Sequence, residues 1–191
     1  MPIDFVDISA EDYLPWTTVL EHIHDCIKLN IDPIGLVGTR IYPYWVYEIE
    51  PSTMLGKIVP AMRCDTGTDN GKVHCWTLGI QNVNIQLNQA GQMPILGDRG
   101  AQNEWTLMID IWGLFDYDGT KASQQKCINE TRLVGAALSR NTEKFVTEEP
   151  LISFAGRPTF SAIQPTPFSD GQNYSVAVGV MQINVKEALT S

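Results

Sequence analysis

The sequence predicts an α+β domain with a mostly antiparallel, twisted sheet, two helices packed on one face, and a long extended loop or hairpin arm. Two observations carry this prediction. The chain has 191 residues, which suits one ordinary domain. Its periodic segments run in the order helix, four or five strands, helix, two strands, an order typical of α+β folds. We therefore expect one domain over residues 1–191, with residues 67–103 as an extended strand and loop excursion.

The first predicted element is a helix that follows Pro15 and ends near Asn30. Proline suits the first turn of a helix, and apolar residues then recur at steps of three and four. A break over 32–35 ends the helix. Residues 44–49 alternate in the manner of a strand. Residues 58–64 form a shorter candidate strand, in which Pro60 favours an edge or a strand start.

Two long strands are predicted in the middle of the chain. In the first, residues 72–87, the apolar parity switches near Gln81, which predicts a bulge or bend. The second, residues 104–115, is apolar on both faces, which predicts a central strand covered on both sides. The residues of the first parity are His74, Trp76, Leu78 and Ile80, and those of the second are Val83, Ile85 and Leu87.

The C-terminal part predicts a second helix and two closing strands. Thr120 is the expected N-cap, and the helix should run to about Arg140 with Cys127, Val134 and Leu138 on its inner face. The closing strands are expected over 153–163 and 174–185. Residues 164–173 contain two prolines and are expected to be a loop.

The composition excludes several classes of function. The formal net charge is −9, which excludes a basic surface for binding nucleic acid. No apolar run approaches the roughly 20 residues of a membrane span. Charged residues make up 18% of the chain, against about 25% in typical soluble domains. We therefore expect much of the surface to be neutral and covered by copies or partners.

The N-terminus and the cysteines give two further expectations. The first ten residues carry two acids and no basic region, so no secretory signal is expected. Four cysteines are spread through apolar segments, and we expect them to be reduced, buried and inert.

One tripeptide suggests catalysis. Asp65-Thr66-Gly67 occurs in aspartic proteases, in which two carboxylates share a proton and activate water. Arg63 and Cys64 precede it, whereas such an aspartate follows a run of apolar residues. A turn between strands is therefore the favoured interpretation.

Metal sites are not predicted either. Asp65, Asp69 and Asn70 lack the spacing of a calcium loop, and His22 and Cys26 share a helix face without His24. The chain carries no specific enzyme motif, so we predict no catalytic residue, metal or cofactor. Four of the five tryptophans lie in predicted strands, where a core or subunit interface is expected before sugar or base stacking.

Several segments together resemble one family. They are Gly38-Thr39-Arg40-Ile41-Tyr42, Val59-Pro60-Ala61-Met62, the strand from Trp105 to Trp112, the helix from Thr120 and the closing strand from Tyr174. In this order, over nearly the whole chain, they resemble the tail terminator (tail completion) proteins of long-tailed bacteriophages. The resemblance implies a non-enzymatic ring, commonly a hexamer, that caps the growing tail tube and presents a surface to the neck protein on the head side.

The resemblance also implies partners and a location. The expected partners are copies of the chain, a tail-tube or sheath protein and a neck or connector protein, in a virion assembled in the host cytoplasm without a membrane. DNA would pass through an acidic lumen without specific binding. The closing strands would be free to pair across subunits. The expected contact residues are Arg40, Tyr42, Gln92, Met93, Pro94, Ile95, Leu96 and Arg99.

Two groups of alternatives stay open. The long connection over 88–103, which carries most of these contact residues, could instead pack back on its own sheet. The function could be that of another neck, tail-tube or sheath-associated ring protein. A small hydrolase that acts through Asp65 is the alternative from a different class of protein.

Overall fold

The computed structural model describes residues 16–31, 40–86, 103–141, 151–154, 158–169 and 173–189. This part of the chain contains two helices and one mixed sheet of eight strands, so the predicted α+β class is confirmed. Of the long connection predicted over 88–103, all but Asn103 lies outside the described residues, so the predicted arm stays a prediction. The helices are α1 (Trp16–Ile31) and α2 (Lys121–Arg140), and the strands are β1 (Arg40–Tyr42), β2 (Glu48–Ile49), β3 (Gly56–Lys57), β4 (His74–Gln86), β5 (Asn103–Asp116), β6 (Leu151–Phe154), β7 (Thr159–Ser169) and β8 (Asn173–Leu189).

The sheet is mostly antiparallel. Its order is β1-β4-β5-β8-β7-β3-β2, and β6 also pairs with β8. The four long strands pair antiparallel, whereas β1 lies parallel to β4 and β3 lies parallel to β7. The closing strand β8 lies between β5 on one side and β7 and β6 on the other. It is therefore central, and the expectation that both closing strands are free to pair across subunits is wrong for β8.

Both helices pack on the same face of the sheet, as predicted. The helix α2 begins at the predicted N-cap, where the Thr120 hydroxyl accepts a hydrogen bond from the Ser123 amide. The helices enclose the larger core with alternate residues of β4, β5 and β8. Its main members are Val19, Ile23, Ile27, Trp76, Leu78, Leu107, Ile109, Ile111, Phe115, Cys127, Val134, Leu138, Met181, Ile183 and Val185.

The predicted bulge in β4 is confirmed. The pairing of β4 with β5 shifts by one residue between Ile80 and Asn82. Because of this shift, Leu78 before the bulge and Val83 after it both pack against the core on the helix side. The parity switch in the sequence thus reflects one extra residue in the strand, and one continuous apolar face.

The predicted strands before residue 64 are largely wrong. Of residues 44–49, only Glu48–Ile49 is a strand, and the segment predicted over 58–64 is a 3-10 helix at Pro60–Met62 that follows β3. The Tyr44 carbonyl accepts a hydrogen bond from the Thr77 hydroxyl at 2.5 Å, and the Val46 amide donates to that hydroxyl at 3.2 Å. These two backbone groups therefore bond to a side chain and not to the backbone of a neighbouring strand.

The loop predicted over 164–173 is wrong for residues 164–169, because β7 continues to Ser169, and residues 170–172 lie outside the described residues. The Ser169 carbonyl accepts a hydrogen bond from the Ile58 amide, on the side of β7 away from β8. Backbone groups alternate in direction along a strand, so Pro165 and Pro167 also direct theirs away from β8. The prolines therefore cost no ladder hydrogen bond. The predicted strand over 153–163 is instead two elements, β6 and the start of β7.

The four cysteines are buried, as expected. Burial raises the pKa of the Cys64 and Cys127 thiols to about 11 and that of Cys75 to about 12. Their thiolate forms are therefore scarce at neutral pH.

Candidate assembly surface

The face of the sheet opposite the helices is half covered by residues 43–59, which we call the strap. The strap starts after β1 at one end of the sheet and reaches β2 and β3 at the other end. Beneath it lies the second core, which contains Val46, Ile58, Met62, Val73, Cys75, Leu114, Phe168, Val176 and Val178. The strap is therefore fixed to the sheet by its own apolar side chains.

Aromatic rings hold the strap across three strands. The Trp45 indole packs directly on Gly79 of β4. A Cβ atom added at Gly79 would lie only 1.6 Å from the Trp45 ring nitrogen. Its ring centroid is 5.2 Å from that of Trp112 on β5, and Tyr47 lies 5.8 Å from Trp112 and 5.6 Å from Phe168 on β7. These edge-to-face contacts stabilise the crossing, and Gly79 is required for the close approach.

The strap carries several large apolar side chains that are partly open to solvent. Four of them keep much of their surface exposed, and we call them the strap patch. They are Tyr44 (58% exposed), Trp45 (39%), Ile49 (51%) and Met54 (73%). Exposed apolar side chains concentrated in one short segment indicate a site of protein interaction more often than single exposed residues do.

Met54 lies in the turn between β2 and β3. Its φ angle is +57°, a left-handed conformation that is unusual for a bulky residue. The turn is closed by a hydrogen bond from the Met54 amide to the Glu50 carbonyl at 2.8 Å and by one from the Glu50 amide to the Leu55 carbonyl at 2.9 Å. The fold therefore keeps a strained residue whose side chain points into solvent, a combination that is common at functional sites.

Two of the predicted contact residues lie beside the strap. Arg40 donates to the Asp65 carboxylate at 2.6 Å and to the Tyr42 hydroxyl at 3.5 Å, and these hydrogen bonds raise the pKa of Arg40. The Tyr42 ring lies 5.5 Å from the ring of Tyr44 in the strap patch. The other predicted contact residues, Gln92, Met93, Pro94, Ile95, Leu96 and Arg99, lie outside the described residues.

Asp65 lies in a closed turn, as its neighbours predicted. The Cys64 amide donates to the Lys72 carbonyl at 3.0 Å, and the Gly71 amide donates to the Cys64 carbonyl at 2.8 Å. The Asp65 side chain is 65% exposed and paired with Arg40. This arrangement differs from a pair of carboxylates that share a proton.

A buried ionic cluster joins α2 to β4 under the same turn. His74 Nε2 lies 2.8 Å and 2.9 Å from the two carboxylate oxygens of Glu130, and Trp76 Nε1 donates to Glu130 at 2.7 Å. His74 Nδ1 lies 2.9 Å from the Asp69 carboxylate, which also accepts from Lys126. His74 and Glu130 are almost fully buried.

Asp69 is the member of this cluster whose pKa its surroundings shift. Burial alone would raise the pKa of Asp69, but the hydrogen bond and charge of Lys126, together with His74, hold that pKa below its usual value. The closed geometry is that of a structural clamp.

Four buried polar atoms in the described part of the chain have no hydrogen-bond partner. All four lie on β5: Thr106 Oγ1, Asp110 Oδ1, Trp112 Nε1 and Asp116 Oδ1. Cross-strand pairing places these residues on the face opposite the helices, where the strap covers only one half. Beyond the strap the face carries mainly amide and hydroxyl side chains, namely Asn82, Asn84, Thr106, Gln182 and Asn184.

The sequence did not predict the ionic cluster. The sequence places His74 only in the apolar parity of its strand and Asp69 only in a segment without calcium-loop spacing, and it gives no sign that Glu130 is a partner of either. His74 and Glu130 are 56 positions apart, and neither residue lies in a motif. The polar residues inside otherwise apolar segments were the only available signal.

No known protein family and no curated protein sequence matches this chain. In the described residues, no group of three or more His, Cys, Asp or Glu side chains converges as a metal ion requires. Neither described helix is long and apolar enough to span a membrane.

Proposed function

We propose that the protein is a structural subunit of a bacteriophage tail. It forms a ring, hexameric as in the family it resembles, at the end of the tail nearest the head, where it ends tube polymerisation and docks to the neck. The strap patch is the observation that carries the proposal. It is an exposed apolar surface fixed to a rigid sheet, and its most exposed residue, Met54, occupies a strained conformation.

Charge and exposure support a self-assembling subunit. A chain with a net charge of −9 repels its copies over long distances, so contacts between copies need a patch that is apolar and weakly charged. The strap patch has this character. A ring of such acidic chains would leave a lumen through which DNA passes without binding, because phosphates are held by Lys and Arg.

Assembly state distinguishes the proposed function from its nearest alternatives. The purified chain is measured by light scattering and electron microscopy, alone and with tail-tube protein. A terminator forms closed rings and shortens the tubes made by the tube protein. A tail-tube protein would form long tubes alone, and another neck or sheath-associated ring would leave tube length unchanged. A chain that stays monomeric with tail components present would refute the proposal.

A matched pair of variants tests the strap patch. Met54→Gln removes the most exposed member of the patch, whereas Leu29→Gln makes the same change on α1, where Leu29 is 66% exposed. Burial of a side chain of this size contributes about 1.5–3 kcal/mol, so Met54→Gln should weaken each contact at least roughly tenfold. Leu29→Gln should assemble normally. Equal effects of the two variants would exclude the patch as the contact.

A further inference from the structure

Among the four long strands of the sheet, β4 and β7 are the outermost. Each is paired over only part of the side that faces away from the other long strands. β1 pairs with β4 at Cys75, Trp76 and Thr77, and β3 pairs with β7 at Phe168 and Ser169. In the described ranges no strand pairs with the outer side of β4 beyond Thr77 or with that of β7 before Phe168. We call residues 79–86 the β4 edge and residues 159–167 the β7 edge.

The β4 edge directs peptide groups outward. The Asp116 amide donates to the Val73 carbonyl at 2.7 Å, so residues of odd number before the bulge face β5 and residues of even number face outward. After the bulge the pattern shifts by one residue. The N–H and C=O groups of Ile80, Val83 and Ile85 therefore point away from β5.

The β7 edge is blunted by proline. Pro165 and Pro167 occupy positions whose backbone groups point outward, as the hydrogen bond between Ser169 and Ile58 shows. These positions have no N–H to donate, and prolines at a sheet edge prevent unwanted strand pairing. The β4 edge contains no proline and keeps all three outward donors.

Charge separates the β4 edge from the end of the sheet at β2. Residues 79–86 contain no Asp, Glu, Lys or Arg. The two-residue strand β2 instead carries Glu48, paired with Lys57 at 3.5 Å. Charged side chains and short length protect an edge from pairing. The β2 end of the sheet has this protection, and the β4 edge does not.

We propose that the β4 edge is a contact between subunits, at which an extended segment of a second copy of this chain adds as a strand. The occupant is a second copy because acidic chains approach each other best where the surface is uncharged, and because main-chain hydrogen bonds need no side-chain complement. This inference rests on the proposed function, since it names a contact by which the assembly forms.

Hydrogen exchange of single amides tests the proposal. In the assembly, the amides of Ile80, Val83 and Ile85 should exchange at least roughly tenfold more slowly than in subunits kept dilute. Asn82 and Asn84 pair with β5 through their backbones and should be protected in both states. Phe160 and Ile163 on the β7 edge should not change. Outward amides that exchange equally fast in assembly and subunit would overturn the proposal.

Positive charge added to the β4 edge gives a second readout. Asn82→Lys with Asn84→Lys places two cations at exposed positions of the β4 edge, and we expect at least a tenfold rise in the concentration needed for assembly. The control, Gln124→Lys with Gln125→Lys, adds the same charge at exposed positions of α2 and should assemble as the parent does. An edge variant that assembles normally would count against the proposal. If the variant does not fold, the hydrogen exchange of the parent chain's amides tests the proposal alone.

The outcomes separate the edge contact from the ring function. A closed ring whose outward β4 amides stay unprotected refutes the edge contact and leaves the ring function standing. Protected amides in a dimer or a long tube refute the terminator function and support the edge contact. A chain that remains monomeric at every concentration refutes both.

Discussion

His74 Nε2 lies 2.8 Å from Glu130 Oε1, and this contact joins β4 to α2 inside the protein. Trp76 donates to the same carboxylate, so one glutamate satisfies two polar side chains of the sheet. A buried charge of this kind needs all of its partners, because an unpaired partner keeps the full cost of desolvation. The clamp therefore secures the position of α2 on the sheet.

Removal of the Glu130 carboxylate should destabilise the fold strongly. Glu130→Ala removes the partner of His74 Nε2 and Trp76 Nε1, and we expect the free energy of unfolding to fall by about 3–5 kcal/mol. Urea denaturation measures the change. Gln125→Ala on the exposed side of α2 serves as the control and should change stability by less than about 0.5 kcal/mol. A loss below about 1 kcal/mol for Glu130→Ala would show that the clamp is weak.

Acid should weaken the fold through carboxylates with lowered pKa, among them Asp118 and Asp69. Hydrogen bonds from Thr120 lower the pKa of Asp118 to about 2, and Lys126 with His74 lowers that of Asp69. An ordinary aspartate titrates near pH 3.9. The stabilisation by a lowered pKa is therefore complete above about pH 4 and is lost as pH falls through the folded-state pKa.

Urea midpoints between pH 7 and pH 2 test this dependence. The parent chain should lose stability as pH falls below about 4. Asp69→Asn should be less stable at pH 7 but should show a smaller loss in acid, because one of the linked protons is no longer taken up. Parallel pH profiles for the parent and Asp69→Asn would contradict the assignment to Asp69.

A side chain at Gly79 should displace the strap. The Trp45 indole occupies the space that a Cβ atom would need, so Gly79→Ala should cost about 1–3 kcal/mol through overpacking and should alter tryptophan fluorescence. The double-mutant cycle with Trp45→Ala provides the control. Without the indole, Gly79→Ala should cost much less, and an unchanged cost would mean that the strain lies in the backbone of β4.

Replacement of Asp110 by an apolar residue should stabilise the isolated subunit. Asp110 is 5% exposed, and its Oδ1 atom lacks a hydrogen-bond partner. Because an unsatisfied buried polar atom costs about 1–3 kcal/mol, Asp110→Leu should raise the urea midpoint. Asn82→Leu, at an exposed position of the same face, should have little effect. A lower midpoint for Asp110→Leu would show that this carboxylate is stabilised by other groups.

The sequence predicted elements whose signal is local. The apolar period gave α1 and α2 almost to the residue, and the parity switch near Gln81 gave the bulge, because burial on one face imposes a period on each element. Thr120 was recognised as an N-cap because capping depends on a neighbouring amide. Such features need no knowledge of distant residues.

The errors arose where distant residues decide the structure. Pro165 and Pro167 indicated a loop, but both lie in β7. A strand accepts them because their backbone groups point away from β8, and this direction is set by pairing with distant residues. Residues 44–49 alternate as a strand does, yet Thr77 takes their hydrogen bonds and Gly79 receives Trp45. The partners of Glu130 were likewise invisible, since the contact joins residues 56 positions apart.

Gln81 has one more consequence for the shape of the molecule. If it were deleted, Ile80 would be followed by one polar residue and then by Val83, so β4 would still alternate correctly and bury the same side chains. The extra residue therefore adds no side chain to the core. A bulge bends its strand and increases the local twist. Gln81 thus sets the local curvature and twist of β4 without changing which side chains the core contains.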